Sequence, residues 1–143
     1  MNTSDIIALI ALILSGISFI KEIIFERTDR RRGLFEDTIK EYMIFKIPEA
    51  RNSVELVEKR WKTRKLQEML SQFRKNLLYF KFYDKRFYEK VDGIIMQIDD
   101  FAVTMNNRED TDIWQLEKLD KYIHSLYDEL TKMYFSRKWF RSR

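Results

Sequence analysis

Residues 6–20 read IIALIALILSGISFI, a run of 15 residues without a charged side chain. Lys21 and Glu22 interrupt the run, and three more apolar residues then extend it to Phe25. At about 1.5 Å per residue, a helix from Ile6 to Phe25 is roughly 30 Å long, the thickness of a bilayer's hydrocarbon core. The Lys21 ammonium can reach the headgroups from within this length. We therefore predict a single membrane-spanning helix.

The run has three other interpretations. A cleaved signal peptide begins with positive charge, whereas this chain begins Met-Asn-Thr-Ser-Asp. A helix lying flat on a membrane needs a polar face through its middle, which the run lacks. The core helix of a soluble protein remains an alternative. Ten of the 15 residues are Ile, Leu or Phe, and these favour insertion by roughly 3–6 kcal/mol.

The charges that flank the run predict its orientation. No Lys or Arg precedes it, whereas five follow closely, at Lys21, Arg27, Arg30, Arg31 and Arg32. Positive charge stays on the cytosolic side of a membrane. We expect a single-pass protein of the cell inner membrane, with its N-terminus outside. Residues 1–32 are the predicted anchor and basic juxtamembrane segment, and residues 33–143 the cytosolic domain.

Small residues share one face of the predicted span. At 100° per residue they fall within about 80° of arc, and small residues let helices approach closely in lipid. This pattern predicts a homo-oligomer, although small residues also occur in single spans by chance. Glu26 and Asp29 continue the face, which in a pore would place carboxylate rings at its mouth. The predicted oligomerisation residues are Ala8, Ala11, Ser15, Ser18 and Glu22.

Composition indicates an all-α protein. The chain has 143 residues with only 3 Gly and 1 Pro, and it has no Cys. Turns and hairpins use Gly and Pro, so their scarcity favours helices with short connections. Apolar stripes at helical spacing mark several helices after the span. We predict an N-terminal single transmembrane helix followed by a cytosolic antiparallel helical bundle of three to five helices.

The stripes and breaks place the cytosolic helices. The first is expected to stop near Lys46, because Pro48 disfavours helix just before it. Asn52-Ser53-Val54-Glu55 resembles a capping box, although Pro48 serves equally well as a helix start. Three stripes have the following members: Val54, Val57 and Trp61, then Leu66 to Phe80, and Phe87 to Met105. Lys59–Lys65 is expected to form a bend or loop, Gly93 to mark close packing, and residues 106–112 to form a loop. Thr111 or Asp112 then caps a last helix with the stripe Ile113, Leu116, Ile123, Leu126, Leu130 and Met133.

Residues with catalytic or metal-binding chemistry are scarce. One His (His124) without Cys cannot supply the usual zinc ligand set or a Cys–His pair. Glycines occur only at Gly16, Gly33 and Gly93, which leaves no glycine-rich phosphate loop. We therefore predict a non-enzymatic protein with no catalytic residues, no metal site and no cofactor.

Two basic, aromatic stretches suit an anionic partner. One is KRWKTRK at 59–65 and the other YFKFYDKRFYEK at 79–90; the tail after residue 136 has the same character. Lys and Arg bind phosphate, and rings suit bases or the membrane interface. The alternative is that the rings are core and the charges solvated. The predicted anion- or headgroup-binding residues are Lys59, Arg60, Lys62, Arg64, Lys65, Arg137, Lys138, Trp139 and Arg141. Anionic lipid headgroups are the favoured partner, then a nucleotide ligand or a cytosolic protein, with nucleic acid least favoured.

With a short span over Ile6 to Phe25 and a compact domain behind it, the layout resembles that of small bacterial membrane effectors of antiphage defence. The resemblance implies a cytosolic domain that senses a nucleotide signal or phage component and acts on the membrane. Our leading hypothesis is a membrane-anchored sensing or interaction protein that oligomerises through its span. The alternatives are a scaffold that tethers a cytosolic partner, and a soluble nucleic-acid-binding helical protein.

Overall fold

The N-terminal helix, α1, extends from Thr3 to Leu34. The structure is a computed structural model that describes residues 3–109 and 112–135, and it divides into two compact units, Met1–Leu34 and Phe35–Arg143. Every residue from Ser4 to Ile20 is exposed. The most apolar 18-residue window has a mean hydropathy of 2.2 and is 0% buried. By length and composition, this helix can cross a membrane.

The second unit is a helical bundle that also contains one short hairpin. It begins with two π-helical turns, Phe35–Ile39 and Tyr42–Lys46. The elements that follow are α2 (Ile47–Asn52), β1 (Glu55–Val57), β2 (Arg60–Lys62), α3 (Arg64–Tyr83), α4 (Lys85–Asn107) and α5 (Trp114–Phe135). The prediction of an all-α protein is confirmed at this level.

Helices α3 and α4 form a helical hairpin with Asp84 as its only connecting residue. The Asp84 carboxylate accepts a hydrogen bond from the Phe87 backbone N–H at 3.1 Å, which caps α4. Farther along, the Thr63 hydroxyl donates to the Ala102 carbonyl at 2.8 Å. Contacts thus pair early α3 with late α4, so the two helices are antiparallel. Their predicted apolar stripes form the buried face.

Helix α5 runs antiparallel both to α4 and to residues 35–52. Tyr122 packs edge-on against Phe101 of α4, with ring centroids 5.6 Å apart. Asp120 binds Arg51 through two hydrogen bonds, while Tyr127, farther along α5, binds the earlier residue Met43. This antiparallel order assigns each helix terminus to one of the two ends of the bundle. We call the end with Phe35, Asp84 and the last turn of α5 the linker end, and the other the hairpin end.

Pro48 does not end the first helix of the domain, contrary to the prediction. Helical backbone continues to Asn52. Pro48 lies in the first turn of α2, which confirms the alternative that Pro48 is a helix start. The Ile47 N–H donates to the Tyr42 carbonyl, five residues back, in the wider π-helical pattern. Tyr42 is buried and stacks on Phe73 with centroids 4.3 Å apart. The proposed capping box is also wrong, because Ser53 lies at the end of α2 and donates to the Ala50 carbonyl.

Residues 55–62 form a β-hairpin rather than a helical stripe followed by a bend. Leu56 pairs with Trp61, and Val57 with Arg60, across the two strands. The two turn residues, Glu58 and Lys59, have φ values of 50° and 65°, which is the pattern of a type I′ turn. The hairpin thus forms without glycine, contrary to the expectation from the scarcity of glycine in the chain.

Two smaller predictions also fail. Gly93 does not mark close packing, because a Cβ built there meets nothing within 4 Å. Ile113 precedes α5 and is 71% exposed, while the unpredicted Leu119 is fully buried. Of the two proposed caps of α5, Thr111 lies outside the described residues.

Candidate functional sites

The predicted oligomerisation face is a property of α1 alone. Ala8, Ala11, Ser15, Ser18 and Glu22 are all exposed on this helix, and their spacing keeps them on one side. Chemically, such a face offers close backbone approach and a few hydroxyl groups to another helix in lipid.

The basic stretch Lys59–Lys65 lies on the hairpin and the start of α3. Its charged side chains are exposed, whereas its ring is buried. Trp61 is only 6% exposed, so the ring is part of the core and cannot stack on a base. Its indole Nε1 is buried without a hydrogen-bond partner among the described residues. Arg60 is paired with Glu109 at 3.1 Å, and Arg64 with Glu68 at 2.9 Å.

The remaining cations of this stretch are exposed lysines. Lys59, Lys62 and Lys65 have no ion pair within the part of the chain that the structure describes. At this end of the bundle, these three lysines are the residues of the predicted anion site that stay available to an anion. The other predicted residues, Arg137, Lys138, Trp139 and Arg141, lie outside the described residues.

Lys65 also borders an open groove between residues 42–53 and α3. The groove has a volume of about 300 Å³, and its lining includes Tyr42, Lys46, Glu49, Lys65 and Gln72. Lys46 lies 3.4 Å from the Glu41 carboxylate and 4.6 Å from the centre of the Tyr42 ring, so its ammonium already has partners. Sequence reasoning missed the groove because its two walls are brought together only by the fold.

The second basic, aromatic stretch divides between core and surface at the linker end. Phe80 and Phe87 are buried and contact each other with centroids 5.3 Å apart. Phe82 is 88% exposed, the highest value for a large apolar side chain among the described residues. Tyr79 and Tyr83 are also exposed, and their rings stack 5.9 Å apart. Helical spacing predicted the two buried rings, since Phe80 ends the stripe that begins at Leu66 and Phe87 begins the next stripe.

Three rings surround a lysine on α5. The Lys118 ammonium lies 5.2 Å from the centre of Phe101, 5.7 Å from Trp114 and 6.0 Å from Tyr122. These are cation–π distances. The protein's own lysine occupies the cluster, which therefore stabilises the packing of α5 on α4 and is not open to a ligand cation. The spacing of four between Trp114, Lys118 and Tyr122 is a signal that sequence reasoning overlooked.

Two side chains with shifted pKa values lie on α3 and α4. Burial, reinforced by repulsion from Asp100, raises the pKa of Asp99. Hydrogen bonding to Asp92 raises the pKa of the Arg74 guanidinium. His124 is exposed, with Nε2 3.8 Å from the Asp128 carboxylate. The prediction of no enzymatic activity stays a prediction.

Comparison with family models, with curated proteins and with solved structures finds no match to this chain.

Proposed function

We propose that this chain is a single-pass, membrane-anchored protein whose helical domain works by interaction rather than catalysis, at the cytosolic face of the cell inner membrane. One observation supports the anchor above all. The run from Ser4 to Ile20 is helical and exposed throughout, and exposed apolar surface of this extent is costly in water. Lipid chains remove that cost, and the basic residues that follow favour a cytosolic C-terminal side.

Carbonate extraction tests the anchor directly. The full-length chain is expected in the membrane pellet after alkaline washing, and release into the supernatant would exclude a span. A charged variant, Ile13→Lys with Ile17→Lys, should shift the protein to the supernatant, because Lys costs about 2.5–3.5 kcal/mol near the middle of a span. The matched control Ile13→Leu with Ile17→Leu should stay in the pellet.

Orientation has a separate test because the chain contains no cysteine. Single cysteines at Asn2 and at Ser71 place one thiol on each predicted side. A membrane-impermeant maleimide added to intact spheroplasts should label the first and spare the second. The reverse pattern would place the helical domain outside the cell.

We further propose that the span assembles chains of the same sequence through its small face. Exchanging Ala11 and Ser15 for Leu widens this face and should reduce the oligomer size in mild detergent. Exchanging Ile13 and Ile17 for Leu places the same residue type on the opposite side with almost no change in volume, and should leave the oligomer size unchanged. If the two variants have the same oligomer size, the small face is not the interface.

A second candidate function is the binding of a small anionic ligand, such as a nucleotide, in the groove next to Lys65. The observation that favours it is the position of Lys65. This residue lines a groove about 300 Å³ in volume and is also one of the exposed lysines of the hairpin end. Titration of ATP or a cyclic dinucleotide into the full chain should show binding that Lys65→Glu removes. Lys81→Glu, at the other end of α3, is the control. A role in antiviral defence stays a prediction, which rests on the layout of span and domain.

A further inference from the structure

The outward face of α3 changes character along the helix. Its first turns present Arg64, Glu68, Ser71 and Lys75, all exposed. In the last two turns the same face presents Leu78, Tyr79 and Phe82, which are 48%, 57% and 88% exposed. Residues three and four apart lie on one side of a helix, so these form a continuous apolar patch. Isolated exposed apolar residues are ordinary, whereas a contiguous patch marks a contact surface.

Basic residues flank this patch in the sequence. Residues 75–90 contain five Lys or Arg against two Asp or Glu. Both acids have partners, because Asp84 caps α4 and Glu89 lies 3.6 Å from Lys85. Apolar rings bordered by Lys and Arg suit the boundary between acyl chains and anionic headgroups. Glu36 and Asp37 also lie toward the linker end, on the first π-helical turn. These acidic residues repel anionic headgroups, so the attraction of the domain to such headgroups is confined to the side formed by α3 and α4.

The patch lies at the end of the bundle where the chain enters the domain. Tyr42 stacks on Phe73 and accepts a hydrogen bond from Asn76 at 2.5 Å, whereas Ser53 lies with Lys65 along the groove. Residues 35–52 are therefore antiparallel to α3, and Phe35 belongs to the same end as the last turn of α3.

The tether to the anchor is short. Beyond Phe25, at which we place the edge of the hydrocarbon, α1 has nine more residues up to Leu34. At about 1.5 Å per residue these extend roughly 14 Å. A headgroup layer is itself about 5–8 Å thick. Chain connectivity therefore keeps Phe35, the first residue of the domain, close to the lipid surface.

We propose that Leu78, Tyr79, Phe82 and Tyr83, with Lys81 and Arg86 beside them, form a lipid-docking tip that seats the domain on anionic headgroups of the membrane holding its own anchor. This inference rests on the anchor proposed above. It adds that the helical domain is held on the membrane by a second contact. Docking orders the domain with its hairpin end, and the lysines there, directed toward the cytosol.

Spin labels on single cysteines test the tip in the full-length chain, which has no native cysteine. The chain is placed in nanodiscs containing phosphatidylserine and, separately, in nanodiscs of phosphatidylcholine alone. Labels are placed at Phe82→Cys in the tip, at Ser71→Cys on the same face of α3, and at Leu14→Cys in the span. Relative accessibility to oxygen and to a water-soluble nickel chelate reports the depth of each label.

In anionic nanodiscs we expect the label at 82 to favour oxygen, as a label in lipid does, and the label at 71 to favour the nickel chelate. In phosphatidylcholine the label at 82 should shift toward the nickel chelate, because the basic border then has no anionic partner. Lys81→Glu with Arg86→Glu should cause the same shift in anionic nanodiscs. Lys59→Glu with Lys62→Glu, at the hairpin end, should not.

Other outcomes separate the two proposals. If the label at 14 is in lipid while the label at 82 stays aqueous in both nanodiscs, the tip proposal is wrong and the anchor stands. If the label at 14 is aqueous, the anchor is wrong and the tip proposal falls with it. Strong spin–spin broadening at 82 with low access to both reagents would show that a second copy covers the tip, which also overturns lipid docking.

Discussion

The hydroxyl of Tyr127 on α5 donates a hydrogen bond to the backbone carbonyl of Met43. In the π-helical pattern around Tyr42–Lys46, each N–H donates to the carbonyl five residues earlier, as Ile47 does to Tyr42. The next donor in this series is Pro48, which has no N–H. The carbonyl five residues before Pro48 belongs to Met43, and it therefore receives no backbone hydrogen bond from Pro48. The Tyr127 hydroxyl supplies a hydrogen bond to this carbonyl instead. A residue 84 positions away thus completes the first helix of the domain.

Replacing Tyr127 with Phe should destabilise the domain by about 1–2 kcal/mol, because a part-buried carbonyl is left without a donor while the ring remains. The measurement is urea unfolding of the full chain in mild detergent, followed by circular dichroism. The control is the same substitution in a Pro48→Ala background, where the new alanine supplies an N–H. There the cost of Tyr127→Phe should be smaller, and equal costs in both backgrounds would contradict the compensation.

The same hydrogen bond should show a dependence on alkaline pH. Burial raises the pKa of Tyr127 above the ordinary 10.0, so the folded state holds this proton more tightly than the unfolded chain does. The stability that Tyr127 contributes is complete below pH 10 and is lost as pH rises through the folded pKa. The difference in unfolding free energy between wild type and Tyr127→Phe should therefore be constant from pH 7 to 9 and narrow at higher pH. A difference that widens above pH 10 has the wrong sign.

Lys59→Gly should stabilise the hairpin by about 0.5–1 kcal/mol. Lys59 has a φ of 65°, a left-handed conformation that is costly for residues with a Cβ and free of strain for glycine. Thermal unfolding measures the gain. Lys62→Gly is the matched control, because Lys62 is an exposed strand residue where glycine weakens the strand. Destabilisation by both substitutions would show that the turn is not strained.

Gly93→Ala should stabilise α4 by about 1 kcal/mol. Gly93 is inside the helix, and a Cβ there meets nothing within 4 Å, so the substitution gains helix propensity without a clash. The buried Ala102 of the same helix supplies the converse control, since Ala102→Gly should destabilise. A loss of stability on Gly93→Ala would indicate that another molecule packs closely against this face.

The ion pair between Arg74 and Asp92 should couple α3 to α4 by more than a surface pair does. It is bidentate, at 2.6 Å from Nε to Oδ1 and 3.2 Å from Nη2 to Oδ2, and the Asp92 side chain is 18% exposed. A double-mutant cycle with alanine should give about 1–2 kcal/mol. The exposed pair Arg64–Glu68 should give about 0.3–0.5 kcal/mol. Equal coupling energies would mean that partial burial adds nothing.

The residues themselves indicated much of this architecture. The long apolar helix followed from an uncharged run, and the stripes in α3, α4 and most of α5 followed from apolar spacing, because both signals are local. The stripe that begins at Leu66 and the one that begins at Phe87 are the buried faces of their helices. The candidate surface at the hairpin end was harder to predict, because Trp61 lies on a strand, where helical spacing does not show which side is buried.

The sequence by itself determined where the apolar helix lies and which faces of the long helices turn inward, since hydrophobic spacing needs no partner to be recognised. Only the tertiary structure decided three other features. The hairpin turn has non-glycine residues at positive φ, the helix continues past Pro48 because α5 supplies the missing donor, and Lys118 lies among three rings. Each depends on groups distant in the chain or on strain that surrounding contacts outweigh, and local periodicity encodes neither of these causes.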